Sequence, residues 1–236
     1  MRRVAFLLVA MWASLAAQSS GFDGAGQIGG KLTGEDGAAI AGAFVSLELL
    51  PPFPKRLPQT TWTSVTGTGG TFRFDQLRAG KYRLCVQVPG SAWLNPCQWG
   101  SKFHLFTLTP GQPMADASLV LQRGAAIPIR MEDPGQLLSQ HEGKAPGAFL
   151  TIGVNNDAYA FDEARLVSLD SNGQNLQVIV PFNSQRRIVV RSGYFQLADA
   201  AGVALSRAKA TEIPVLVLAG QRPTEIRLKV TGAGQP

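Results

Sequence analysis

Cys85 and Cys97 are the chain's two cysteines, 12 positions apart. In an oxidising compartment an even count invites pairing. A bridge closing a loop of that size contributes about 3 kcal/mol in the chain-entropy model. The alternatives are two free thiols, which a secreted protein usually avoids, and a metal site. The two histidines, His104 and His141, share no ligand spacing with the cysteines, which weighs against a metal. We therefore expect a Cys85–Cys97 disulfide and no metal site. Nucleophilic and metal-assisted hydrolysis have no visible signature, because neither G-x-S-x-G nor H-E-x-x-H occurs. His104 sits between Phe103 and Leu105 on an expected strand, as a surface or rim residue. His141 lies beside Glu142 in a polar loop, and one His with one Glu is too little for a zinc peptidase. The 16 Asp and Glu residues include no pair in a context that points to acid–base work. No catalytic residue and no cofactor is expected.

Two polar clusters have ordinary readings beside functional ones. Asp170-Ser171-Asn172-Gly173 opens like a calcium loop, but Gln174, Asn175 and Leu176 follow, so a hairpin turn is expected. Asn155-Asn156-Asp157 could hold a cation or a sugar hydroxyl, and it also fits a turn. Trp62, Trp93 and Trp99 are the tryptophans beyond the leader. Trp93 and Trp99 flank Cys97 in one loop, which a disulfide would hold rigidly. Such a pair could stack on the apolar faces of sugar rings. It could equally pack over the disulfide and close the end of a sandwich.

The start of the chain is an address. Arg2 and Arg3 precede an apolar run from Val4 to Ala13, and Ser14-Leu15-Ala16 offers the small residues a signal peptidase reads. The rival is an uncleaved anchor, but the run is short against the ~20 residues of a membrane span. We expect a cleaved signal peptide at 1–17, a secreted or periplasmic protein, and no integral membrane span in the mature chain. Cleavage leaves 20 Lys and Arg against 16 Asp and Glu, a net charge of +4. The basic residues are scattered, with Arg186-Arg187 the densest pair, so no nucleic-acid partner is expected.

The rest of the chain must position these residues. Its 236 residues are 45% hydrophobic and only 16% charged, with 26 Gly and 15 Pro. That balance excludes a coiled coil or helical bundle and a wholly disordered chain. Strands are expected at Gly26–Leu32 and at Ala43–Leu49, where Ala43, Val45, Leu47 and Leu49 share one face. Pro51, Pro52, Pro54 and Pro58 then interrupt pairing. Trp62–Val65, Thr71–Phe74, Tyr82–Val88, Phe103–Thr107 and Ala117–Leu121 follow. Tyr82, Leu84, Val86 and Val88 should face inward, placing Cys85 on the outer face where it can staple the loop Pro89–Gly100. About seven short strands in roughly 100 residues, with frequent turns, point to an antiparallel β-sandwich.

Several spaced motifs carry a resemblance. Gly26-Gln27-Ile28-Gly29-Gly30, then Gly37, Ile40, Gly42, Ala43 and Val45, then Gly70, Phe72, Phe74, Leu77, Gly80 and Tyr82 recur in order. This segment, residues 24–122, resembles the carboxypeptidase regulatory-like domain. One departure is Thr66-Gly67, where that family often has Thr-Asp. The resemblance implies a transthyretin-like (prealbumin-like) β-sandwich, a carbohydrate-binding-like fold, used as an accessory and non-catalytic module.

Beyond a joint at Gln122-Arg123-Gly124, residues 123–236 read as a second β-sandwich of uncertain family. Ala126–Met131 holds Pro128 and is expected at a sheet edge. Pro134–Gly147 reads as a loop with a helical turn at Gln136-Leu137-Leu138. Further strands are expected at Phe149–Val154, Arg165–Leu169, Leu176–Val180, Ile188–Arg191, Tyr194–Leu197, Val215–Leu218 and Ile226–Val230. The expected role is structural or protein-interacting at the cell envelope, with a protein or a glycan as partner. The alternatives are carbohydrate binding through Trp93 and Trp99, and an accessory subunit of a peptidase or transport system.

Overall fold

The computed structural model describes residues 26–51, 60–99, 104–109, 115–144, 147–207 and 209–234. The expected signal peptide, most of the proline-rich loop and Phe103 lie outside the described residues. Among the described residues the chain is all-β, apart from one five-residue helix, and forms two β-sandwich domains.

The first sandwich holds β1 (Gly26–Gly34), β2 (Phe44–Leu49), β3 (Thr61–Val65), β4 (Thr71–Leu77), β5 (Gly80–Gln87), β6 (Leu105–Leu108), β7 (Ala115–Asp116) and β8 (Leu119–Leu121). One sheet runs β3-β2-β5-β6, and the other joins β4, β1, β7 and β8. Alternation places their apolar residues in one core: Ile28 and Leu32, Val45 and Leu47, Phe72 and Phe74, Tyr82 and Leu84. The Phe72 and Phe74 rings lie 6.0 Å apart, and Tyr82 meets Trp62 edge-on at 5.8 Å. The Tyr82 hydroxyl donates to the Arg78 carbonyl at 2.7 Å, which satisfies the polar tip of a buried ring.

The turns are equally specified. Thr66 is buried, its hydroxyl donating to the Ile40 carbonyl (2.8 Å) and accepting from the Ala43 amide (2.9 Å). Thr66 thus ties this turn to the chain preceding β2 without the Asp that often follows it in the family resembled. Gly70 has φ +73°, and a Cβ there would lie 2.3 Å from the Leu32 carbonyl oxygen. Only glycine fits this position.

The second sandwich holds β9 (Gly124–Glu132), the helix α1 (Leu137–His141), β10 (Leu150–Asn155), β11 (Phe161–Glu163), β12 (Arg165–Asp170), β13 (Gly173–Pro181), β14 (Arg186–Ser192), β15 (Phe195–Asp199), β16 (Thr211–Val215) and β17 (Ile226–Ala233). Its sheets run β11-β10-β14-β16 and β12-β13-β9-β17-β15. Ile127, Ile129, Val178, Val180, Ile188, Val190, Phe195 and Leu228 fill the space between them.

Three features of the strands differ from what their residue pattern predicts. The strand holding Pro128 is central, with β13 on one side and β17 on the other. The proline is tolerated because the parallel ladder to β17 begins only at Ile129, so its missing N–H breaks no bond on that side. The strand expected at Val215–Leu218 lies earlier, at Thr211–Val215, and Val217 reaches the core from the loop after it. The ladders are not all antiparallel: β1 pairs in parallel with β7 and β8, and β17 with β9.

Candidate functional site: the stapled loop and the cleft beneath it

Cys85 leaves the outer face of β5 and is bonded to Cys97, with their Cα atoms 5.3 Å apart. The chain between them leaves the first sandwich and returns to it through this bridge. Asn95 organises the far end. Its side-chain oxygen accepts from the Cys97 amide, and its carbonyl accepts from the Gln98 and Trp99 amides, each at 2.9 Å. That tight turn aims Trp99 away from the first core.

Trp99 is only 7% exposed and belongs, with Leu94, to the core of the second sandwich. The Arg186 guanidinium of β14 lies 5.0 Å from the centre of its ring and pairs with Asp157 at 2.6 Å. The Asp157 amide in turn donates to the Gln98 carbonyl at 2.9 Å. Trp93 is half-buried against the first core, and its ring carries the Arg123 guanidinium 4.3 Å from its centre. The same stretch pairs with the joint between the domains. Leu94 donates to the Gln122 carbonyl, Gly124 donates to the Ala92 carbonyl, and Trp93 bridges Arg123. A Cβ at Gly124 would lie 2.6 Å from the Leu94 side chain and 2.8 Å from the Val180 carbonyl oxygen, so this position needs glycine.

Beneath the loop lies a cleft of about 270 Å³ shared by both sandwiches. Trp93, Asn95, Gln98 and Trp99 line it from the loop, and Asp162, Glu163 and Arg165 line it from the second sandwich. Burial pushes the Asp162 carboxyl above its ordinary range, partly offset by the Gln98 amide 3.5 Å away. The cleft therefore offers an aromatic edge, hydrogen-bonding amides, two carboxylates and one cation. Such a set can hold a small polyhydroxylated molecule.

Trp93 and Trp99 thus differ in use. Trp99 is buried in the second core with Arg186 over its ring, while Trp93 is half-buried against the first core. They share a loop, and both line the cleft. Asp162 and Glu163 were not singled out from sequence, because their three-residue strand is too short for a periodic signal.

The remaining candidates take local roles. His104 is partly buried, which lowers its pKa below the ordinary value. The His141 ring packs 5.6 Å from that of Tyr194. Asn156 accepts from the Ala158 and Ala160 amides in a turn. Asp170 accepts from the Asn172 amide and holds Arg130 at 2.7 and 2.8 Å. Among the described residues, no group of three or more His, Cys, Asp or Glu side chains converges as a metal site. No helix among them is long and apolar enough to cross a membrane.

No family model matches the sequence. No curated protein matches it either. Among solved structures, the chain is similar to the Bacillus anthracis TIE protein (13% identity, 87% of this chain and 34% of that one, TM-score 0.33). A streptococcal ancillary pilin matches at 10% identity over 86% of this chain and 62% of its own, with TM-score 0.41. The minor pilin of Streptococcus agalactiae matches at 12% identity over 89% of this chain and 98% of its own, with TM-score 0.37. The chain thus spans about a third of the first of these proteins and under two-thirds of the second. Similarity at this level goes no further than the β-sandwich architecture.

Proposed function

We propose that this is an exported, non-catalytic β-sandwich protein with a structural or protein-interacting role at the cell envelope. Residues 1–17 are its cleaved signal peptide. Residues 24–122 form a domain of the carboxypeptidase regulatory-like type, and 123–236 form a second sandwich domain. The observation that carries the reading is the interlock at the joint. A disulfide-anchored loop of the first sandwich supplies Leu94 and Trp99 to the core of the second. A staple of this kind needs an oxidising compartment, and it suits a chain that must hold two modules in a fixed relation.

The test is to produce the full chain in a bacterial host and fractionate the cells. The reading expects a product lacking residues 1–17 in the envelope or medium, with both cysteines unreactive to a thiol label until reductant is added. A full-length product in the cytoplasm with two reactive thiols contradicts it.

The cleft supports a second reading, in which the protein binds a glycan through Trp93 with Asp162 and Glu163 as hydroxyl acceptors. Trp99 also lines the cleft, and in that reading it both anchors the loop and borders the ligand. A saturable change in tryptophan emission on adding soluble glycans, lost in Trp93→Ala, would support it. An unchanged spectrum across the glycan panel counts against it.

A further inference from the structure

We infer that β12 is a self-pairing edge, through which two copies of this chain join their five-stranded sheets around a two-fold axis. The inference names a partner for the interaction role proposed above, and to that extent rests on it. β12 is the outermost strand of its sheet, with β13 on one side only. All six of its residues are exposed, including Leu166 (49%), Val167 (59%) and Leu169 (64%). Edge strands are normally blunted by proline, charge or shortness. Three other edges follow that rule: β16 carries Pro214, β11 has three residues, and β4 turns Arg73 and Asp75 outward. β12 has no proline and is six residues long, and it exposes Leu166, Val167 and Leu169 beside Arg165, Ser168 and Asp170.

Its register makes it complementary to itself. Against β13, Arg165 faces Gln177, Leu166 faces Leu176, Ser168 faces Asn175, Leu169 faces Gln174 and Asp170 faces Gly173, while Val167 bulges. The bulge shifts the alternation by one residue. Arg165, Ser168 and Asp170 therefore share one face, on which Arg165 bonds Gln177 and Asp170 bonds Arg130. Leu166 and Leu169 share the other face, with the core residues Val178 and Val180 of β13.

A two-fold axis perpendicular to the sheet through Ser168 then sets Arg165 opposite Asp170 of the second copy, and Leu166 opposite its Leu169. In an isologous contact each pairing occurs twice. Without the bulge, Arg165 and Asp170 would lie on opposite faces and could not meet. With it, two ion pairs, each extended by Arg130, cover one face, and four leucines cover the other. Opposite-charge and apolar cross-strand pairs are the units that stabilise antiparallel pairing.

The test is sedimentation velocity on the oxidised mature chain, with charge reversals at the two ends of β12. The wild type should sediment as a concentration-dependent dimer. Arg165→Asp and Asp170→Arg should each be monomeric, because each sets like charges opposite one another. An equimolar mixture of the two variants should regain the dimer, because the swapped charges then match. Asp170→Arg also loses the Arg130 pair, so a second variant guards against a folding defect. Ser168→Cys should give a covalent dimer on oxidation, since directly opposed residues lie about 4.5–5.5 Å apart at Cα, within disulfide reach. Val203→Cys, exposed on a distant turn, should not.

A wild type that stays monomeric at every concentration overturns the inference, as does a mixture that fails to dimerise or a Ser168→Cys that does not cross-link. A monomer that is still exported and disulfide-bonded sinks the self-pairing and leaves the envelope role standing. A cytoplasmic, reduced protein sinks the envelope role.

Discussion

Arg186 of β14 lies over the ring of Trp99, a side chain that departs from the first sandwich and ends in the core of the second, with 5.0 Å between guanidinium and ring centre. This contact closes the joint. The disulfide holds the loop at one end, the Asn95 turn aims it, and the second core receives it.

Trp99 and Trp93 should therefore differ in energetic weight. Trp99→Ala removes a buried aromatic and should cost about 3–5 kcal/mol in urea unfolding. Trp93→Ala loses a half-buried ring and one cation–π contact, the contact itself contributing about 0.5–1 kcal/mol at an exposed site. Equal losses at the two positions would contradict the assignment of Trp99 to the second core.

Removing the staple has a separate signature. The Cys85→Ala/Cys97→Ala double variant should be destabilised by about 3 kcal/mol in the chain-entropy model. The freed loop should also become a site of early proteolytic cleavage between Val88 and Trp99. Limited proteolysis read by mass spectrometry checks this, and a loop as resistant as in the oxidised protein counts against the staple.

Asp162 predicts a pH dependence. Burial raises its folded-state pKa above the ordinary carboxylate value. The native state then holds this proton more tightly than the unfolded chain does. Its contribution favours folding as pH falls through the raised value, and disfavours folding at neutral pH. Asp162→Asn should thus melt higher than wild type at neutral pH, and the difference should shrink on acidification. Asp170 has the opposite sign: its hydrogen bond with Arg130 holds its pKa below the ordinary value. Its contribution is present above the ordinary range and is lost as pH falls through the depressed value. Melting temperature against pH for the two Asn variants separates the two.

Gly70→Ala should be destabilising by about 1–3 kcal/mol, since it strains a left-handed backbone position and drives a methyl towards the Leu32 carbonyl oxygen. Gly69→Ala, where a Cβ meets nothing within 4 Å, serves as its control in the same thermal melts.

Much of this architecture was legible in the residue pattern. The alternation of Tyr82, Leu84 and Val86 against Lys81, Arg83 and Cys85 predicts both the buried face and the outward cysteine, and the structure has both. Alternation reports which face is buried and is silent on the neighbouring strand. The central position of the Pro128 strand was hidden for that reason, since it depends on where the β17 ladder begins. The two uses of Trp93 and Trp99 were hidden as well. Identical residue types six positions apart are told apart only by which core receives each ring. The cleft carboxylates lie on a three-residue strand that leaves no periodic trace.

The interlock is tested most directly by differential scanning calorimetry of the oxidised protein. The account predicts one transition, with calorimetric and van't Hoff enthalpies equal, because two sandwiches sharing a stapled loop should unfold together. It predicts two transitions once Trp99→Ala removes the shared side chain. Two independent transitions in the oxidised wild-type protein would contradict it.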